Sequence, residues 1–401
     1  TCTVTLRSEQ KARRFLRSLS RLRPEALLLA TGCYAQLGSA ELQALGPNLV
    51  VVGQREKAAL MDLPRRLSEA ETVRPGDWRE RTLEALRREQ TPPGEEFRFQ
   101  ASRCRFHSRA FLKIQDGCNG RCAYCRVPLA RGASVSLEPS LAVERARALE
   151  ACGYRELVLT GVNICSYRRG SSGLAELLEL LLARTAEVRL RLSSLEPECL
   201  RPALIQVLAS PRICAHFHLS VQSGSDRLLL RMRRRYRSAQ VRRAVQELRR
   251  AHNDPFLAAD LIVGFPGESE EDFLATYELA ERLGFAKLHV FPFSPRPGTP
   301  AWSMEPKIPE RVRDARVKQL VALSGRLGER YRCTWVGREV QVVLETRRRR
   351  LDGEAWEGTS GNGLKVRVRG IPEELAASGR LVSAWIEDPG DPCSGCFLAG
   401  A

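Results

Sequence analysis

The chain has 401 residues, 43% hydrophobic and 28% charged, which excludes a disordered polymer and predicts two or three globular domains. No apolar run approaches the ~20 residues of a membrane span; the densest, LAELLELLLA (174–183), is broken by Glu176 and Glu179, and no signal or transit peptide is expected. A net charge of +17, with arginine runs at Arg233–Arg235, Arg242–Arg243, Arg249–Arg250 and Arg347–Arg350, suits a polyanion such as nucleic acid, although solvated arginine-rich helix faces give the same number.

The chain opens at Thr1 without an initiator Met, which predicts a natural start further upstream. Residues 1–72 then alternate helix and strand: an Arg-rich helix from Glu9 to Arg21, the strand ALLLA (26–30) and the strand NLVVV (48–52). Residues 73–108 are polar and proline-bearing, with TPPGEE at 91–96, and read as a linker. From 109 to 330 strands and amphipathic helices alternate. The strands are FLKIQ (111–115), ELVLT (156–160), VRLRL (188–192), HFHLS (216–220), LAADLIVG (257–264) and KLHVF (287–291), and a basic helical connector fills 301–330. This spacing predicts an α/β domain with a parallel sheet, an open six-stranded partial barrel whose chemistry sits at the C-terminal strand ends. Residues 331–401 carry short β patterns (REVQVVLE, LKVRVRG, RLVSAWIE) between Gly-rich turns and read as a small all-β barrel.

Thirteen cysteines at scattered spacing do not make a secreted disulfide framework; a reducing cytoplasm fits, with Cys152, Cys165, Cys199 and Cys214 as inert core thiols. The loop GCNGRCAYC (117–125) differs, because it sets Cys118, Cys122 and Cys125 in a C-x3-C-x2-C pattern directly after the first barrel strand. Three thiolates on a 4Fe-4S cluster leave one iron open for a ligand. Tyr124, between the second and third cysteines, is placed to lie beside the adenine of a bound cofactor. Zinc is the rival reading by spacing alone, with His107 as its nearby fourth ligand. The pair Cys393 and Cys396 (CSGC) is a weaker metal or redox candidate.

Several further segments occur in one order: KIQDGCNGRCAYC (113–125), PLARG (128–132), LTGVNICSY (159–167), RLSSLEP (191–197), HLSVQSGSD (218–226), RMRRRYR (231–237), DLIVGFPGESEEDF (260–273) and HVFPFSPRPGTPAW (289–302). Together they resemble the methylthiotransferases of the radical-SAM superfamily over nearly the whole chain. Within that family, QDGC and HVFPFSPRPGTPA look most like the branch acting on threonylcarbamoyladenosine (t6A) in tRNA.

The resemblance implies an N-terminal α/β methylthiotransferase domain, truncated at its start, over 1–72 and a radical-SAM core over 109–330. A TRAM-like RNA-binding barrel follows over 331–401. It also implies two 4Fe-4S clusters and S-adenosylmethionine (SAM). Cys118, Cys122 and Cys125 hold the SAM-cleaving cluster, while Cys2 of TCTV and Cys33 of TGCYAQ belong to the second, for which a third, upstream family cysteine is not in this sequence. Thr160, Gly161, Asn163, Ser194, Glu196, Gln222, Ser223, Arg235, Ile262 and Gly264 are the expected SAM contacts. The implied reaction consumes two SAM molecules and methylthiolates C2 of t6A at position 37 beside the anticodon. The partners it implies are the tRNA anticodon loop and an electron donor such as flavodoxin or ferredoxin, in the cytoplasm. Departures at ASVS (133–136) and TSGNGLKV (359–366) weaken basic and aromatic contacts to RNA. Two other functions compete: methylthiolation of a ribosomal protein aspartate, and a non-catalytic iron–sulfur RNA-binding protein.

Overall fold

The computed structural model describes residues 1–54, 56–68, 78–87, 97–98, 107–350 and 353–398. They divide into two compact units. One gathers Thr1–Gln100, Asp116–Val135 and Ser294–Ser303; the other gathers Ala101–Gln115, Ser136–Phe293 and Met304–Ala401. The division cuts across the boundaries drawn from sequence, because the cysteine loop and the SPRPGT turn group with the N-terminal residues.

In the first unit, helix α1 (Leu6–Leu22) starts at Thr5, whose hydroxyl accepts a hydrogen bond from Ser8 N at 3.1 Å. Strands β1 (Leu28–Thr31) and β2 (Leu49–Val52) pair in parallel. Short helices α2 (Cys33–Leu37) and α3 (Ser39–Gln43) lie between them. Leu16, Ala30, Tyr34, Leu42 and Leu49 close one small core. After α4 (Leu63–Ser68), helix α5 (Trp78–Arg87) falls inside the segment read as linker, and its Leu86 is buried against Val50 and Val52. Part of that segment is therefore an amphipathic helix whose apolar side the local charge density hides; TPPGEE lies outside the described residues. Helix α6 (Val127–Arg131) leaves the cysteine loop and packs on α2.

The second unit bears out the six strands. Among the described residues, β3 (Ala110–Lys113), β4 (Glu156–Thr160) and β5 (Arg189–Leu192) run parallel in that order, with Phe111 level with Val158 and Leu159 with Leu192. Strands β6 (His216–Gln222), β7 (Phe256–Val263) and β8 (Lys287–Pro292) form a second parallel trio, and a Leu195–Leu219 bridge joins the trios. Helices α7 (Pro139–Ala151), α8 (Leu174–Arg184), α9 (Pro202–Leu208), α10 (Asp226–Arg231), α11 (Ser238–Ala251) and α12 (Glu270–Leu283) fill the connections. Alternation decides which side faces them: Phe217, Leu219 and Val221 are buried, whereas His216, His218 and Ser220 on the other side are only partly covered.

After α13 (Glu310–Cys333), strands β9 (Glu339–Arg350), β10 (Gly353–Ser360), β11 (Lys365–Arg369), β12 (Leu381–Asp388) and β13 (Cys393–Phe397) close a barrel in the order β9–β10–β11–β13–β12. Val342, Leu344, Val366, Val368, Ile386 and Cys393 fill it. Charge ties the two parts of this unit together. Glu156, fully buried, accepts Arg189 Nε at 2.8 Å and Arg191 Nε at 2.6 Å. The same arginines donate onward to barrel carbonyls, Arg189 to Gln341 at 3.0 Å and Arg191 to Ser360 at 2.8 Å.

Candidate active site

The cysteine loop is built by backbone constraints. Gly117 has φ +67° and approaches Ala133 so closely that a Cβ there would strike its carbonyl. Cys118 N donates to Gly132 O at 3.1 Å and Cys125 N to Cys122 O at 3.2 Å. Two further amides point at sulfur: Gly120 N at Cys118 Sγ, 3.2 Å, and Val127 N at Cys125 Sγ, 3.4 Å. A Cβ on Gly120 would sit 3.1 Å from Cys118 Sγ and 3.8 Å from Cys122 Sγ, filling the space the two sulfurs share. All three cysteines lie outside any disulfide and are half-buried, and Tyr124 between them is half-buried too. Amide donors toward thiolates are what an iron–sulfur cluster uses to hold its negative charge, so the loop fits such a group. Among the described residues, no three His, Cys, Asp or Glu side chains converge in closed metal-ligating geometry. His107, the candidate zinc ligand, is exposed and sets its ring edge-on to Phe111.

The N-terminal cysteines lie in the same unit. Tyr34 N donates to Thr1 O at 3.3 Å and Ala35 N to Thr1 Oγ1 at 3.0 Å, laying the first residues across the turn that carries Cys33. Cys2 Sγ accepts Val4 N at 3.4 Å, and Cys33 Sγ accepts Arg131 Nε at 3.2 Å.

The expected SAM contacts separate into distinct environments within the second unit. Thr160 closes β4, and its carbonyl accepts Ile114 N at 2.9 Å. Gly161 allows close approach of Gln115, whose side-chain oxygen takes Asn163 N at 2.8 Å. Gln222 ends β6 at φ +64°, a backbone position that non-glycine residues rarely occupy. Ile262 is half-buried on β7, and Gly264, at φ +77°, donates its N–H to Glu268 at 2.8 Å.

Ser223 and Arg235 are set apart from the others. Ser223 is 1% exposed, with its hydroxyl engaged by Thr276 Oγ1 and Ser225 N, so it anchors α12 rather than facing the strand ends. Arg235 is exposed; the arginine that pairs with Glu196 is the buried Arg234, which also donates to Tyr236 OH at 3.0 Å.

Sequence reasoning missed the polar line across the strands. Ser194 Oγ lies 3.1 Å from His218 Nδ1, and His218 Nε2 lies 2.8 Å from Asp260 Oδ1. The His289 ring sits 4.8 Å from that of His218, and burial holds its pKa below the ordinary value. The signal was present as three polar residues on the same alternate of β6, β7 and β8. Cys165 and Cys199, read as separate core thiols, are joined as a disulfide, while Cys152 is exposed. Cys393 and Cys396 stand three apart on β13, a spacing that turns them to opposite faces. Cys393 is in the barrel core with its thiol pushed up to about 11 by burial, so the pair does not offer a joint site.

Residues 112–280 match the radical SAM superfamily. A threonylcarbamoyladenosine tRNA methylthiotransferase of Treponema pallidum is 42% identical over 392 residues, covering 86% of this chain and 81% of the relative. The chain belongs to the radical-SAM tRNA methylthiotransferases. A tRNA-2-methylthio-N(6)-dimethylallyladenosine synthase of Nitratidesulfovibrio vulgaris is 34% identical over 394 residues, covering 95% and 85%. The radical S-adenosylmethionine methyltransferase TsrM of Kitasatospora setae superposes with a TM-score of 0.50 at 16% identity, covering 70% of this chain and 58% of that one, a likeness of fold alone. Membership implies a 4Fe-4S cluster and SAM for this methylthiotransferase, and no helix among its described residues is long and apolar enough to cross a membrane.

Proposed function

We propose that the enzyme methylthiolates C2 of N6-threonylcarbamoyladenosine beside the anticodon of tRNA. The cysteine loop carries this reading: amides aimed at Cys118 and Cys125, and a glycine where any side chain would crowd the sulfurs, are what cluster ligands require. The Treponema pallidum relative, named for the t6A substrate, supports the choice of base.

Cys118, Cys122 and Cys125 would hold the cluster that binds SAM, and Cys2 and Cys33 would contribute to a second. When bound, the cluster and SAM would supply the radical chemistry for hydrogen abstraction at the substrate carbon. The chain's own part is to place and shield. Thr160, Gly161, Asn163, Ser194, Glu196, Gln222, Ile262 and Gly264 would offer backbone and side-chain groups to SAM, and the exposed Arg235 would meet a SAM carboxylate or a phosphate. The closed C-terminal barrel, as a TRAM-like module, and the basic surface would hold RNA. A loop nucleotide suits such a site because its base is already unstacked. Flavodoxin or ferredoxin would provide electrons, and the cytoplasm would provide the compartment.

The test is anaerobic turnover with tRNA bearing t6A, tRNA bearing isopentenyladenosine and a ribosomal protein, read by nucleoside and peptide mass spectrometry. A methylthio product on t6A alone supports the proposal; product on another substrate reassigns it. Failure to form 5′-deoxyadenosine with any of them favours the non-catalytic reading. Cys118→Ala, Cys122→Ala and Cys125→Ala each abolish 5′-deoxyadenosine if the loop is the SAM-cleaving site.

A further inference from the structure

The Cys165–Cys199 disulfide joins two short turns, and each turn is opened by an expected SAM contact. Asn163, just beyond β4, caps the one-turn helix Ile164–Ser166: its Oδ1 accepts Cys165 N at 3.1 Å, and its carbonyl accepts Ser166 N at 3.0 Å. Glu196, beyond β5, stands in the same position before the turn Pro197–Cys199, where its carbonyl accepts Cys199 N at 3.0 Å. The turns also meet directly, since Glu196 N donates to Cys165 Sγ at 3.2 Å. The sulfur link therefore closes a ring of contacts that runs from Asn163 through Cys165 to Glu196 and Cys199.

In the joined form these groups are spent. The Asn163 side-chain oxygen and the Glu196 N–H both serve Cys165, and the Glu196 carboxylate is held by Arg234. A covalent tie between Cα atoms 5.9 Å apart keeps them there, because neither turn can move without the other. Once Cys165 is released from Cys199, its turn can shift and free the Glu196 N–H for a ligand. Both cysteines are half-buried rather than sealed in the core, so a small disulfide can reach them. Every other described cysteine lies outside a disulfide, so this bond is no part of a stabilising framework; it stands alone beside the expected SAM contacts.

We propose that Cys165 and Cys199 are a reversible redox switch on SAM binding, open when reduced and closed by a low-molecular-weight disulfide such as oxidised glutathione. In closing, one cysteine thiolate displaces a first glutathione thiol to form a mixed disulfide, and the other cysteine then displaces the second. The cysteine pair loses two electrons, the glutathione disulfide gains them, and the two cysteine protons end on the released glutathione thiols. The switch rests on the reading of Asn163 and Glu196 as SAM contacts.

The experiment takes the full chain, reconstituted with iron and sulfide in the absence of oxygen, and holds it in reduced or in oxidised glutathione. Mass spectrometry of the alkylated chain reads the pair, equilibrium dialysis reads SAM, and iron is counted in both forms. The pair should open in reduced glutathione and close in oxidised glutathione. Closing should weaken SAM roughly tenfold, the worth of one hydrogen bond, with iron unchanged. The double variant Cys165→Ser/Cys199→Ser cannot close and should bind SAM alike after either treatment. A pair that stays joined in reduced glutathione is a structural bond and overturns the proposal. Equal or tighter SAM binding in the closed form overturns it too, as does an equal loss in the double variant. If neither form binds SAM, the SAM-site reading falls and the switch falls with it.

Discussion

Arg131 links Cys33 to the cysteine loop: its Nε donates to Cys33 Sγ at 3.2 Å, and its Nη1 meets both oxygens of Asp116 at 3.0 and 3.1 Å. Asp116 in turn accepts the N–H of Gly117 at 2.8 Å, one residue before Cys118. One guanidinium thus holds a candidate ligand sulfur of one site and the entry to the other. Arg131→Leu strips the donor from Cys33 and removes the guanidinium from the buried Asp116, a cost of roughly 1–3 kcal/mol. The expected outcome is a lowered melting temperature and less iron per chain after anaerobic reconstitution. Arg131→Lys recovers charge but not the forked reach, and restores iron only in part. Unchanged iron in Arg131→Leu would show the link to be incidental.

Much of this arrangement was legible and some was not, for physical reasons. The cysteine spacing, the six barrel strands and the closing β-barrel are local patterns of period two or fixed loop length, and they survive folding. Arg131 was visible only as part of PLARG, since a guanidinium's partner lies wherever tertiary structure brings one. Arg234 and Arg235 are adjacent in an arginine run, and only the backbone decides that Arg234 turns inward. Ser223 looked like its neighbour Gln222, yet Thr276, 53 residues on, claims its hydroxyl. The Cys165–Cys199 pair joins loops after different strands, 34 residues apart, and no spacing rule anticipates it.

That pair yields a direct measurement. With Cα atoms 5.9 Å apart, Cys165 and Cys199 meet the usual span of a disulfide. Alkylation of unreduced, unfolded chain should leave one cross-linked peptide pair containing both residues, which reduction separates. Closing a loop of this size contributes roughly 4 kcal/mol, so Cys199→Ser should lower the melting temperature of oxidised protein and leave that of reduced protein nearly unchanged. Full alkylation of both cysteines without reductant would contradict the pairing.

Acid stability follows from the sheet floor. Burial raises the acid form of Glu156, but Arg191 and then Arg189 outweigh it and hold the carboxyl at about 2. Burial, with Arg191 nearby, also pushes His216 down to about 3. Both groups are depressed in the fold, so each contributes stability that is complete above its ordinary pKa and lost as pH falls through the folded value. The His216 contribution begins to fade below about pH 6.5 and that of Glu156 below about 4.3. The unfolding free energy should be flat near neutrality and fall progressively from about pH 6.5 downward. Glu156→Gln leaves two buried arginines short of a carboxylate and costs roughly 3–5 kcal/mol, while removing the acid-limb part between about pH 4.3 and 2. Denaturant melts across pH for both proteins check this; identical acid limbs would sink the assignment.

Asp260 bears on turnover rather than on folding. It sits on β7 level with His289 of β8, and its carboxylate fixes Nε2 of His218, whose Nδ1 faces the Ser194 hydroxyl. A carboxylate at Nε2 favours the proton there, leaving Nδ1 to accept from Ser194 and so aim that hydroxyl. The asparagine amide can rotate to offer N–H instead, which reverses the imidazole's donor and acceptor ends and releases Ser194. Since the asparagine still gives Nε2 of His218 a hydrogen-bond partner, no buried polar group is left unmet and the stability cost is small. If Ser194 positions SAM, Asp260→Asn should slow 5′-deoxyadenosine formation by about a hundredfold, with iron content and melting temperature close to those of the unaltered chain. Ser194→Ala should show the same defect, and the double variant Ser194→Ala/Asp260→Asn should be no slower than either single change. Additive losses in the double variant would mean that the carboxylate acts on the reaction by another route.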